Sequence, residues 1–224
     1  MIKTSKTIKV VPPLGETGNN ILEKLQKHLG IWWFNNNWLP EGIVDNAVSG
    51  SGSFGWHSHY VLSWTGTTSG SYAQLYKAAY GLSNASSWDK KRFFGVLVYF
   101  YTYTAQNIHI VTGYCPNTGA ANTERHIGFK LINGTLYGTV ADGTTEATLS
   151  IETITAEGFR RLECIFDPSI PECRFYVDGV DKGAITTNLP TGVYSDYMLY
   201  STVHNTEAAI KYLYIYEARI FQEE

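Results

Sequence analysis

Residues 126–151 read HIGFKLINGTLYGTVADGTTEATLSI. Three runs of β-prone, alternating residues are divided by two turn signals, Asn133-Gly134 and Asp142-Gly143. Asn-Gly is the strongest short hairpin signal, because both central positions of a two-residue turn of this kind need positive φ. The reading is strand, turn, strand, turn, strand. Downstream, RRLECIF (160–166) and ECRFYV (172–177) form another hairpin around the Pro-containing loop Asp167–Pro171. Asp178-Gly179 then turns the chain into VDKGAIT (180–186). Upstream, RFFGVLVYFYTY (92–103) is long, apolar and rich in β-branched and aromatic residues, which predicts a central strand. NIHIVTGY (107–114) follows it. DYMLYSTV (196–203) and AIKYLYIYEARIF (209–221) close the chain; in the last, Tyr212, Tyr214 and Tyr216 alternate with Leu213, Ile215 and Glu217.

Further towards the start, SGSFGWHSHYVLSWTG (51–66) and SYAQLYKAAYGL (71–82) are aromatic-rich and end in turn residues. Short strands with turn signals at regular intervals predict an all-β antiparallel sandwich. The beginning differs. Thr7–Val11 reads as a short strand closed by Pro12 and Pro13. NNILEKLQKHLG (19–30) carries Ile21, Leu22, Leu25 and Leu29 at helical spacing, with Asn caps before it and Gly30 after it. The expected organisation is an N-terminal strand and helical arm over 1–30 and one sandwich over 31–224. A single sandwich of this kind commonly runs to ~200–250 residues.

Composition narrows the partners. Charged residues are 17% of the 224, below the ~25% usual for soluble domains, and the formal net charge is −3. A surface of Gly, Ser, Thr, Asn and Tyr suits neutral ligands or protein packing, and it lacks the basic face that nucleic acid requires. No apolar run reaches the ~18 residues of a membrane span. The start, MIKTSKTIKVVPPLG, shows no apolar signal-peptide core; a trimmed chain would read the same way. The three cysteines, Cys115, Cys164 and Cys173, fit no zinc spacing. Cys164 and Cys173 lie on the two strands of one hairpin, where either a cross-strand disulfide or two buried thiols is open.

The run GFRRLECIFDPSIPECRFYVDGVDKGAITTNLP (158–190), with its Phe175-Tyr176-Val177-Asp178-Gly179 turn, resembles the later half of concanavalin A-like jelly rolls, laminin-G-like domains above all. KYLYIYEARI (211–220) stands where such domains place their closing strand. The resemblance covers about residues 50 to 222 and implies an antiparallel two-sheet jelly roll. It implies little about function, because the fold hosts lectins, glycan hydrolases, adhesion modules and virion proteins. The hairpin series 126–146 also resembles jelly-roll modules of phage and other microbial surface proteins.

Laminarinase-like hydrolases of this fold carry E-x-D-x-x-E on one strand. This chain does not, so no catalytic residue is assigned and an enzyme is not expected; glycoside hydrolysis normally needs two placed carboxyls. His57 and His59 share a strand face without a third ligand nearby, and no metal is assigned. Asp142, Asp178 and Asp181 are the residues a calcium ion would use, although the first two are already explained by their turns. For glycans the candidates are Trp32, Trp33, Asn35, Asn37 and Trp38 in IWWFNNNWLP (31–40), with Trp56 nearby. Rings stack on sugar C–H faces and Asn side chains meet hydroxyls; the alternative is that these rings fill the core. Leu22, Leu25, Tyr212, Tyr214 and Tyr216 are interface candidates, for self-association or for capsid and particle proteins. The leading expectation is a non-catalytic virion structural or decoration protein on a particle or cell surface. The alternatives are a carbohydrate-binding, lectin-like module and, below it, a glycan hydrolase.

Overall fold

A computed structural model describes residues 43–49, 52–57, 60–78, 87–114, 121–192 and 197–222. The expected arm over 1–30, the Trp/Asn stretch 31–40, His59 and Cys115 lie outside those residues. In chain order the strands are β1 (Ile43–Ser49), β2 (Ser53–His57), β3 (Tyr60–Trp64), β4 (Tyr72–Ala78), β5 (Arg92–Phe100), β6 (Gln106–Gly113) and β7 (His126–Ile132). There follow β8 (Thr135–Ala141), β9 (Glu146–Thr153), β10 (Gly158–Asp167), β11 (Glu172–Val177), β12 (Val180–Ile185), β13 (Tyr197–Asn205) and β14 (Tyr212–Gln222). They form two seven-stranded sheets. The first has the order β1-β4-β13-β6-β7-β8-β9 and the second β12-β11-β10-β5-β14-β3-β2. All neighbours are antiparallel.

The hairpins form where the turn chemistry requires. Asn133 and Gly134 have φ of 47° and 85°, and Asp178 and Gly179 have 52° and 78°. These pairs supply the two left-handed residues of a twist-compatible turn. At the third turn the Asp142 side chain does the holding: Oδ1 accepts the backbone N–H groups of Thr144 at 2.7 Å and Thr145 at 2.8 Å. As expected, β5 is central in its sheet, flanked by β10 and β14. β1 has no counterpart in the sequence expectations, since Asp45 and Asn46 interrupt its apolar residues; its pairing with β4 is itself irregular between Asp45 and Val48.

Alternation then builds one core between the sheets. Phe94, Val96, Val98 and Phe100 of β5, Leu162, Cys164 and Phe166 of β10, and Phe175 of β11 meet Ile108, Ile110, Ile127, Phe129 and Leu131 of the first sheet. Phe175 crosses the interlayer space to stand edge-on to Phe129, with ring centroids 5.5 Å apart. It fits only because residue 138 is glycine: a Cβ there would lie 2.7 Å from the Phe175 ring. Trp88, fully buried, packs edge-on against Phe166 and under the Arg92 guanidinium, 4.4 Å from the ring centre. Cys164 pairs with Phe175 and Cys173 with Phe166, so the two cysteines are not directly opposite; both are free, buried thiols. Among the described residues no helix is long and apolar enough to cross a membrane.

Candidate functional site

The outer face of the second sheet carries an aromatic belt. On β3, Val61 and Ser63 are buried, which leaves Tyr60, Leu62 and Trp64 on the other side. On β14, Leu213 and Ile215 enter the core, and Tyr212, Tyr214 and Tyr216 face out. Register joins these rows: Tyr212 lies opposite Trp64, and Tyr214 lies between Leu62 of β3 and Tyr99 of β5. Tyr60 is 5.4 Å from Tyr214 and 5.1 Å from Tyr216 between ring centres. Phe159, at the start of β10, stands 4.9 Å from Tyr99 and 5.0 Å from Tyr216. Tyr101 closes the belt, 5.6 Å from Tyr212. Tyr101 and Phe159 are each 51% exposed. Edge-to-face pairs of this kind contribute ~0.5–1.5 kcal/mol each beyond burial, so the rings hold one another in place.

A bulge sets the edge of the belt. The pairing of β14 with β5 slips between Ile215 and Glu217. Ile215 and Ala218 are both buried. Tyr216 and Glu217 therefore both face outward, and the charged residues that follow join the tyrosine face. This corrects the plain alternation expected for the strand, which grouped Glu217 with Leu213. A bulge inserts one residue and re-aims the side chains beyond it. Arg161 Nη2 lies 3.7 Å from Glu217 Oε2, and Arg219 contacts the same carboxylate. Glu163 stands in the next row, across Gly95 from Arg219. Burial pushes the Glu163 carboxyl up, with Arg161 and Arg219 pulling it back. Desolvation and the nearby Glu157 carboxylate raise the Tyr99 phenol. Desolvation and neighbouring phenols raise Tyr214 and Tyr216. These phenols stay protonated at neutral pH and keep a hydroxyl that can donate.

The outer face of the first sheet carries a small aromatic cluster of Tyr76, Tyr114 and Tyr200 around Val111 and, beside it, polar residues. One cross-strand row runs Gln74, Thr202, His109, Lys130, Tyr137, Ser150 over five pairings. Its centre is buried although it points away from the apolar core: His109 and Thr202 are 0% exposed and Lys130 is 5%. Beside it, His126 Nε2 lies 2.9 Å from Thr139 Oγ1, and Thr139 donates to Glu146 Oε1 at 2.8 Å. Lys130 Nζ donates to Glu146 Oε2 at 2.7 Å. His109 Nδ1 lies 3.4 Å from Thr202 Oγ1, while Nε2 has no partner among the described residues. Burial, with the like charges of His126, Lys130 and His204, holds His109 down to about 3. Burial holds His126 at about 4 against the pull of Glu124 and Glu146. This cluster contains one carboxylate, Glu146, already committed to Lys130, and an acid–base pair of carboxyls is not assembled from it.

The residues expected from sequence distribute as follows. Tyr212, Tyr214 and Tyr216 lie together in the belt. Trp56 pairs with Val61 in the register of β2 and β3, and His57 pairs with Tyr60; their side chains are outside the described set. Trp32, Trp33, Asn35, Asn37, Trp38, Leu22 and Leu25 are outside it altogether. Asp142 serves its own turn. Asp178 Oδ1 accepts the Arg161 backbone N–H at 2.9 Å, and Asp181 holds Gly183 N–H at 2.8 Å and Arg174 Nη1 at 3.0 Å. Among the described residues no three His, Cys, Asp or Glu gather as a metal site. Sequence reading missed Tyr60, Tyr99, Tyr101 and Phe159 as partners of the tyrosines. The available signal was the alternation of β3 and β5, but only the pairing order brings those rows beside β14.

No protein-family description and no curated protein matches the chain. Solved structures do. Bacillus licheniformis β-glucanase superposes with a TM-score of 0.60 at 11% identity, over 88% of this chain and 100% of that one. The Emp47p carbohydrate recognition domain gives 0.56 at 10%, over 85% and 93%. The fold is a concanavalin A-like jelly roll. A botulinum neurotoxin type C structure, whose cell entry depends on two ganglioside molecules, also matches this jelly roll, at 0.57 and 10% identity over 91% of this chain and 49% of that one. At such identities the likeness establishes the fold alone. Both an enzyme and a carbohydrate recognition domain share the jelly roll, so the architecture leaves catalysis open.

Proposed function

We propose that the chain is a non-catalytic carbohydrate-binding module and that the aromatic belt of the second sheet is its glycan-facing surface. The observation that carries this is the contiguous set of seven outward rings, Tyr60, Tyr99, Tyr101, Phe159, Tyr212, Tyr214 and Tyr216, linked at 4.9 to 5.9 Å. Pyranose rings offer flat C–H faces to such a surface and hydroxyls to the phenols at its borders. Rigid Tyr supplies contact area with little entropy left to lose. The carbohydrate-recognition and ganglioside-dependent neighbours support this reading over the particle-decoration role expected first; no neighbour named above bears on particle assembly. A glycan-facing module acts at an exposed cell or particle surface.

A broad glycan array probed with wild type, Tyr214→Ala and Phe159→Ala tests the proposal. Binding to a defined glycan set, lost in both variants while each still melts cooperatively as a folded protein, is the expected result. An empty array, or binding indifferent to both changes, overturns it. A second reading rests on the same belt, because Tyr is also enriched at protein interfaces. It predicts concentration-dependent dimers in sedimentation that Tyr214→Ala dissolves.

A further inference from the structure

Resting on that glycan reading, we infer that the belt takes electrically neutral oligosaccharides and rejects uronic acid or sialylated chains. The patch sets the size. Tyr212 to Tyr216 spans ~13 Å along β14, and the four strands from β3 to β10 span ~14 Å across. That area suits a short oligosaccharide better than one sugar.

The charges around it set the class. Two guanidiniums border the belt, Arg161 and Arg219, and both turn to Glu217, Arg161 Nη2 at 3.7 Å. Glu163 shares the Arg219 row. Glu157, exposed, lies two residues before Phe159, the register partner of Tyr99, and its charge raises the Tyr99 phenol. The next arginine, Arg160, is engaged by Glu152 at 2.9 Å and Asp178 at 3.8 Å. Among the described residues, three carboxylates therefore oppose two cations at the border. A carboxylate arriving on a ligand must displace an existing partner or lie beside a like charge, and arranged repulsion of this kind is how sites reject a competitor. Sugar hydroxyls meet no such conflict, since they donate to the glutamates and accept from the arginines and phenols.

Electrophoresis of the intact chain through gels containing neutral polysaccharides (β-glucan, xylan, galactomannan) or acidic ones (polygalacturonate, alginate, hyaluronan) tests this. Retardation in at least one neutral gel, and in no acidic gel, is the expected outcome. Glu217→Gln should release Arg161 and Arg219 and raise retention in acidic gels roughly fivefold or more. Glu124→Gln, an exposed change of the same charge beside the first sheet, should leave it at the wild-type level. Circular dichroism melts verify that each variant folds. Acidic retention equal to or above neutral in the wild type, or no gain with Glu217→Gln, overturns the inference and leaves the glycan reading standing. Absence of retardation in every gel overturns both.

Discussion

Acidification from pH 7.5 to pH 5 should remove about 4 kcal/mol of stability through two histidines. An unfolded histidine titrates near 6.5. In the folded chain His109 titrates at about 3 and His126 at about 4, each mainly because burial disfavours the charged ring. Between those values and 6.5 the unfolded chain takes up protons that the folded chain refuses. The stabilisation is complete above 6.5 and is lost as pH falls towards the folded values. At pH 5 the loss is about 2 kcal/mol for each ring, from linkage. His204, also held down by desolvation, acts in the same direction. Glu163, whose carboxyl is raised, acts against it. For a domain of this size ~1 kcal/mol moves the melting temperature ~2–4 °C, so the midpoint should drop by ~8–16 °C. Circular dichroism melts at constant ionic strength across this range measure it, and His109→Gln should remove about half of the pH-dependent drop. A midpoint that stays flat or rises between pH 7.5 and pH 5 would refute the assignment of both rings as buried and neutral.

Gly138→Ala should cost ~1–3 kcal/mol by overpacking, because the added Cβ meets the Phe175 ring at 2.7 Å; a lowered urea midpoint with an unchanged slope checks it. Thr139→Val removes the hydroxyl that touches His126 Nε2 and donates to Glu146. It should cost ~1–3 kcal/mol, since buried polar groups lose a partner, and an unchanged midpoint in the same titration would count against that network. Tyr214→Ala and Phe159→Ala should each lose glycan retention at least tenfold, as read from paired gels, while cooperative melts show that both variants still fold.

The hairpins at Asn133-Gly134 and Asp178-Gly179 were legible because turn chemistry is local: two positive φ values demand those residues wherever the chain lies. β5 was legible because a long β-prone apolar run suits a central strand and little else. Four features were not legible, for one shared reason: they depend on which strand lies beside which, and in what register. The bulge at Tyr216 has no composition of its own, and it alone moves Glu217 onto the aromatic face. The row Thr202, His109, Lys130 draws on three strands up to 93 positions apart in sequence, so none of its members looks unusual in place. The tyrosines of β14 were readable as an outward or interfacial set, yet their partners Tyr60, Tyr99 and Phe159 come from β3, β5 and β10. Cys164 and Cys173 were seen to share a hairpin, but the offset that leaves them diagonal rather than opposite is set by the loop register.

The most direct test of the central claim is tyrosine-ring NMR on chain labelled with carbon-13 tyrosine, titrated with an oligosaccharide that the array identifies. Shifts concentrated in Tyr60, Tyr99, Tyr212, Tyr214 and Tyr216 are expected, with Tyr76, Tyr137 and Tyr200 of the first sheet unmoved. Shifts confined to those first-sheet tyrosines would contradict it and move the glycan to the opposite face.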